Sequence, residues 1–234
     1  MSTRADLIGK KRAVIFDFFH TLTGPESAWG DGRPMTHAML GVTREAWNEQ
    51  LLEKSRERMA GKLRDPFTII AGMARAINPA ISDEVIRAAM ENRLARFDAA
   101  VVRIPDETQR VLRALKAQGK LIGLIGNADV TEIAAWDRSP IAPLFDSVIF
   151  SCYAGWVKPE PEIYRQSLAE LGVTPEEAVF VGDGACNELQ GARNVGITAV
   201  MFTGVIREAW PEKIAERRPQ ADFAIDHLHE LLPE

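Results

Sequence analysis

The chain has 234 residues, of which 46% are apolar and 26% charged, with a net charge of -5. That length accommodates one domain with a large insert, or two small ones, and enough apolar residues for a substantial core. The acidic balance argues against a general nucleic-acid or membrane-surface binder, and no apolar run approaches the roughly 18 residues of a membrane span.

The first apolar run, AVIFDF at 13–18, is short and rich in strand formers, which predicts a buried strand. From 24 to 103 the texture changes. No convincing strand occurs there, and 43–63, 65–77 and 82–97 have helical character. Ser82 followed by Asp83 and Glu84 is an N-cap with acids in the first turn, and Asp65-Pro66 opens the preceding helix in the same way. An all-helical insert is expected, with most of Trp47, Leu51, Leu52, Met59 and Phe67 in its core.

Beyond Pro105 strands and helices alternate. A helix from Asp106 stops at Gly119 and is followed by a strand at 120–126, a helix near 129–137 and a strand at 147–150. A helix at 161–172, a strand at 178–183, a helix at 187–196 and a strand at 197–202 continue the pattern. A weak strand at 222–225 precedes a terminal helix. Such alternation predicts an α/β fold, a three-layer sandwich around a parallel sheet.

In an open α/β sheet, ligands bind beyond the carboxyl ends of the strands. This chain places Asp17 and Thr21 after the first strand and Gly126-Asn127 at the end of the second. Lys158 follows the third, and Asp183, with Glu188 five residues on, follows the fourth. Taken singly these are ordinary turn and loop residues. Together they bring a carboxylate able to act as nucleophile, further carboxylates suited to Mg²⁺, a lysine to offset charge, and a hydroxyl to one edge.

In this order, strand-D-x-x-x-T-L, a strand ending in Asn127, K-P-E-P-E-I-Y and G-D-x-x-x-x-E resemble the haloacid dehalogenase superfamily of hydrolases, in the branch with a helical cap after the first strand. The resemblance implies a Rossmann-like core at 1–23 and 104–234 and a cap at 24–103. It also implies an anionic, most often phosphorylated, small-molecule substrate and Mg²⁺-assisted hydrolysis through an aspartyl-phosphate. Asp17 corresponds to the nucleophile, supported by Lys158 and Thr21. Gly126, Asn127 and His20 fall at substrate-binding positions. Asp17, the backbone carbonyl of Phe19, Asp183 and Glu188 fall at metal positions.

Two positions depart from the phosphatase pattern. Phe19 stands where those members carry the acid–base Asp, a group of a kind worth about 10²–10⁴-fold in rate. His20 is a candidate substitute acid. Gly126 stands where a Ser or Thr hydroxyl is usual. Two alternatives follow. One is a 2-haloacid dehalogenase, whose halide leaves without a proton; Phe19 and Tyr164 fit it, and Arg33 or Arg44 would supply its cap arginine. The other is a catalytically impaired binding or regulatory protein. A phosphonate-cleaving variant would need a cap lysine such as Lys54 or Lys62.

Arg56, Arg58, Lys62 and Arg64 form a basic cluster, read as a solvated face or a charge clamp for an anionic substrate. Cys186 reads as a buried small residue. Two widely separated cysteines suit a reducing, cytoplasmic setting, with neither nucleic acid nor membrane as partner. A monomer and a homodimer are equally compatible with the sequence.

Overall fold

The computed structural model describes residues 8–29, 32–53 and 55–232. Its strands are β1 (Ala13–Phe16), β2 (Leu121–Gly126), β3 (Ser147–Phe150), β4 (Ala178–Gly182), β5 (Thr198–Phe202) and β6 (Phe223–Ile225). They form a single parallel sheet in the order β3-β2-β1-β4-β5-β6. The chain runs outward from β1 to β3, then returns to place β4 on the other side of β1. Crevices form where the winding direction reverses in this way, here above the carboxyl ends of β1 and β4.

All four residues of β1 are buried, so its sequence is a continuous apolar run. The pleat divides them between two cores. Val14 and Phe16 join Leu124, Val179 and Val181 on one side of the sheet. Ala13 and Ile15 join Ile125, Phe180 and Tyr164 on the other.

The segment between β1 and β2 is helical: α1 (Thr36–Leu40), α2 (Arg44–Leu52), α3 (Ser55–Met59), α4 (Pro66–Ile77) and α5 (Asp83–Val102). The expected caps form, with Asp65 accepting from Thr68 N at 2.8 Å and Ser82 from Val85 N at 3.4 Å. Leu40, Trp47, Ile69, Ile70 and Ile86 form a third core within these helices. Leu52, expected in that core, is 76% exposed. The helix expected over 43–63 is two helices, α2 and α3; Lys54, between them, lies outside the described residues.

The remaining helices are α6 (Asp106–Ala117), α7 (Ser151–Ala154), α8 (Pro161–Leu171), α9 (Glu188–Asn194), α10 (Gly204–Ala209) and α11 (Glu212–Arg217). The helix expected near 129–137 is a series of turns, with a short 3₁₀ turn at Trp136–Arg138. Side chains capture the backbone here. Asp129 accepts from Thr131 N at 2.8 Å, and Glu132 accepts from Asp129 N at 3.1 Å, bonds that compete with a helical ladder. The expected terminal helix is likewise a single 3₁₀ turn at Leu228–Leu231. Among the described residues, no helix is long and apolar enough to cross a membrane.

Candidate active site

β1 ends one residue before Asp17, and β4 ends one residue before Asp183. Asp17 N bonds Val181 O at 2.8 Å, so the strand pairing itself holds the carboxylate in place. Lys158, from the loop before α8, reaches across the sheet edge. Its Nζ contacts Asp17 Oδ1 and lies 2.5 Å from Glu188 Oε2. Thr21 Oγ1 donates to Asp17 Oδ2 at 3.0 Å. Glu188 Oε1 accepts from Gly184 N at 3.0 Å, and Gly182 makes room for it: a Cβ there would lie 2.2 Å from that oxygen.

Asp183 is held by Arg217, whose Nη1 donates to Oδ2 at 2.7 Å, and by Ala185 N, which donates to Oδ1 at 2.9 Å. Carboxylate oxygens of Asp17, Asp183 and Glu188 lie within 4.8 Å of one another. All three residues are buried, with Lys158 and Arg217 as the cations bonded to them. With all three ionised, three carboxylates against two cations would leave one negative charge uncompensated. Burial and the neighbouring Asp17 push Glu188 up to about 8. Burial also raises Asp17, against the pull of Lys158. Burial alone would lower the Lys158 ammonium; Asp17 and Glu188 outweigh it and hold its pKa above the ordinary value.

The other expected site residues have more specific surroundings. The Asn127 amide is engaged at both ends by the Lys158 backbone, donating to its carbonyl at 3.0 Å and accepting from its N–H at 2.8 Å. It clamps the lysine loop. Gly126 is packed against Phe150; a Cβ there would meet the ring at 3.0 Å. Phe19 sits in an aromatic cluster, 4.8 Å from Phe18 and 5.5 Å from both Trp29 and Phe97, measured between ring centroids. His20 has a left-handed backbone, with φ of 61°. Its ring stacks on Trp29 and meets Trp210 edge-on; among the described residues its enclosed Nε2 makes no hydrogen bond, and Glu26 Oε1 lies 4.0 Å from it. Tyr164 is wholly buried and donates to the Glu188 carbonyl at 2.7 Å, which fixes the start of α9.

The basic cluster at 56–64 does not converge. Arg56 pairs with Glu160 at 2.6 Å and Lys62 with Glu57 at 2.8 Å, while Arg64 lies over the Tyr153 ring. Arg58 alone turns inward, to Asp129. Cys186, expected to be buried, is exposed and lines a cavity of about 420 Å³ between the helical segment and the loop after β4.

A family model for haloacid dehalogenase-like hydrolases matches residues 11–196. The chain belongs to this family. Among curated relatives of this haloacid dehalogenase-like protein, glyceraldehyde 3-phosphate phosphatase of Pyrococcus furiosus is 33% identical over 132 residues, 55% of this chain and 52% of that protein. Phosphoserine phosphatase of Thermus thermophilus is 37% identical over 78 residues, 33% of this chain and 31% of that protein. The chain thus spans about half the length, or less, of these relatives. Solved structures share the fold. A dehalogenase with an intermediate complex superposes with a TM-score of 0.67 at 20% identity, covering 95% of this chain and 96% of that one. A phosphatase of the family from Thermococcus onnurineus gives 0.60 at 23% identity, covering 94% and 95%.

Sequence reasoning missed Arg217 on Asp183 and the aromatic surroundings of Phe19 and His20. Arg217 lies 34 residues from its partner in a helix with no motif of its own. Trp29 and Trp210 come from opposite ends of the chain and meet only through the fold.

Proposed function

We propose that this protein is a phosphatase-like hydrolase acting on a small phosphorylated molecule, with Asp17 as nucleophile. The observation that carries the reading is the buried convergence of Asp17, Lys158, Asp183 and Glu188 above the carboxyl ends of β1 and β4. Curated relatives named as phosphatases support it. Residues 24–103 act as a cap over a core formed by 1–23 and 104–234.

In the first step an Asp17 oxygen attacks phosphorus, the bond from phosphorus to the leaving-group oxygen breaks, and that oxygen departs with the bonding pair. Water then cleaves the aspartyl-phosphate, releasing phosphate and restoring the carboxylate. Lys158 holds Asp17 in position and offsets the phosphoryl charge. Thr21 fixes the second Asp17 oxygen.

The donor set fits Mg²⁺. The three carboxylates are hard oxygen ligands, and each oxygen that already accepts one bond keeps a second lone pair. Asp17, Asp183 and the Phe19 carbonyl would hold the ion. Glu188, anchored to Lys158 and Gly184, closes the set. Bound there, Mg²⁺ would neutralise the phosphoryl oxygens.

Phe19 provides no proton for the leaving group. Its place in an aromatic cluster also suits carbon–halogen cleavage, which needs none, and that is the second reading. The test assays the purified protein on p-nitrophenyl phosphate and an acyl phosphate, with Mg²⁺ or EDTA, beside Asp17→Asn, and measures halide release from 2-haloacids. Mg²⁺-dependent phosphate release that disappears in the Asn variant is the expected result. Metal-independent halide release without phosphate release would replace the reading with dehalogenation. Silence on every substrate would favour a binding role.

A further inference from the structure

Among the described residues, two groups bring three candidate metal ligands within reach of one another. One is the acid cluster of Asp17, Asp183 and Glu188. The other is Glu107, His227 and His229, which shares no residue with it. His227 and His229 flank the start of the terminal 3₁₀ turn at Leu228–Leu231. Glu107 lies in the first turn of α6, 122 residues before His229 in the chain.

The fold presents these side chains from a fixed base. Leu228 and Leu231 of the turn are buried in the same core as Val111, Leu112 and Leu115 of α6. His227 N donates to Glu230 Oε1 at 2.9 Å, which ties down the turn. His229 N donates to Glu107 Oε1 at 3.4 Å, and His229 Nδ1 lies 2.9 Å from the same oxygen. Both histidines are exposed, and their rings stack with centroids 5.2 Å apart and planes 20° apart. Burial opposes the charge on Glu107, but the bonds from His229 and the two nearby imidazoles outweigh it and hold its carboxyl below the ordinary value.

One ligand atom from each of the three residues lies within 4.8 Å of the other two. Ligands bound to one tetrahedral zinc at about 2.0–2.1 Å stand roughly 3.3 Å from each other. The Glu107–His229 pair is already at that scale. A ring proton can bridge this pair, and a metal ion bonded to both atoms takes its place, with the proton released to water. Near-parallel rings cannot both aim a nitrogen at one ion, so coordination turns one imidazole, a motion open to an exposed side chain. Two imidazole nitrogens and one carboxylate oxygen suit Zn²⁺ and its transition-metal neighbours, whereas Mg²⁺ prefers oxygen alone. Three protein ligands leave a further position to water.

We propose that Glu107, His227 and His229 bind a divalent transition-metal ion of the zinc class, which fastens the terminal turn to α6. The site differs from the acid cluster in its donor chemistry, and it does not depend on the reaction assigned to Asp17.

The test adds Zn²⁺ to the full chain, free of any purification tag, and follows the ring signals of its four histidines by NMR. The His227→Gln and His229→Gln variants assign the two signals that matter. Both are expected to shift by the time one equivalent for each cluster has been added, and Mg²⁺ at the same concentration is expected to move neither. Glu107→Gln is expected to weaken Zn²⁺ binding at these rings at least about tenfold, since even residues behind a metal's ligands are worth 10–100-fold in affinity. Zn²⁺ is also expected to raise the unfolding temperature of wild type by several degrees more than that of His229→Gln, each measured against its own value in EDTA. Zinc held at the acid cluster contributes equally to both proteins and cancels in that comparison. Rings of His227 and His229 that stay unmoved by Zn²⁺ would overturn the proposal. So would unchanged affinity in Glu107→Gln, or equal stabilisation of wild type and His229→Gln.

Discussion

The Lys158 ammonium lies 2.5 Å from Glu188 Oε2, in an ion pair with both side chains only 2% exposed. The same nitrogen contacts Asp17, so one cation separates two buried carboxylates. Removing it leaves them facing each other across a site of low polarity. Breaking a buried pair by deleting one partner typically costs about 3–5 kcal/mol, because the survivor keeps its desolvation cost. Lys158→Met is therefore expected to destabilise the protein by about that much in EDTA. Lys158→Met combined with Glu188→Gln is expected to recover part of the loss. Urea unfolding of the four proteins in this cycle measures the coupling, and additive losses would show that the two groups do not act as a pair.

Gly126 is constrained by packing. A Cβ at this position would lie 3.0 Å and 3.2 Å from two ring carbons of Phe150. Gly126→Ser, which would restore the hydroxyl usual in the family's phosphatases, must displace that ring. Overpacking of this kind costs roughly 1–3 kcal/mol. The prediction is that Gly126→Ser alone lowers the unfolding midpoint, whereas Gly126→Ser with Phe150→Leu regains most of it. A fully stable single variant would show that Phe150 moves freely.

The parallel sheet was legible because β1, β2, β4 and β5 are apolar runs that end at turn residues. The site was legible because Asp17, Lys158, Asp183 and Glu188 follow strands, and strand order turns such positions into neighbours. The departures have a common physical cause. Asp129, Thr131 and Glu132 look helical in a linear reading, but their side chains bond their own backbone and then receive Arg58 and Arg93 from the helical segment. Arg217, Trp29 and Trp210 carry no local signal, since their roles depend on contacts between distant parts of the chain.

The Arg93–Glu132 contact links α5 to the loop after β2 and makes stability depend on pH. Burial, then the neighbouring Asp129, pushes Glu132 up to about 7 from an ordinary value of 4.5. An acid raised in the folded state stabilises the fold fully below its unfolded pKa and loses that contribution as pH rises through the folded one. Asp129 is held low by Arg93 and Arg58, which outweigh its burial, so it stays ionised above pH 4.5. The stability of wild type relative to Glu132→Gln is therefore expected to fall between pH 4.5 and 8, by on the order of 3 kcal/mol. Denaturant unfolding at several pH values checks this, and a constant difference would place Glu132 in its ionised form throughout.

Phe19 sets the last prediction. The ring packs, partly buried, against Phe18, Trp29 and Phe97, and no carboxyl stands at this position to protonate a leaving group. An alkoxide that departs unprotonated raises the barrier steeply as its basicity rises, whereas p-nitrophenolate departs readily. Wild type is expected to cleave p-nitrophenyl phosphate at least about 10²-fold faster than a simple alkyl phosphate, the lower end of what general acid catalysis supplies. Phe19→Asp puts a carboxyl into the aromatic cluster, where burial favours its protonated form. That variant is expected to lose stability with the ring, by less than the roughly 3–5 kcal/mol of truncating a fully buried Phe, and to narrow the gap between the two substrates. Stability and rate thus move in opposite directions for the alkyl substrate, an outcome that simple damage to the site would not produce. Equal rates of wild type on both phosphates would mean that a proton reaches the leaving group from another residue, with His20 the first to replace.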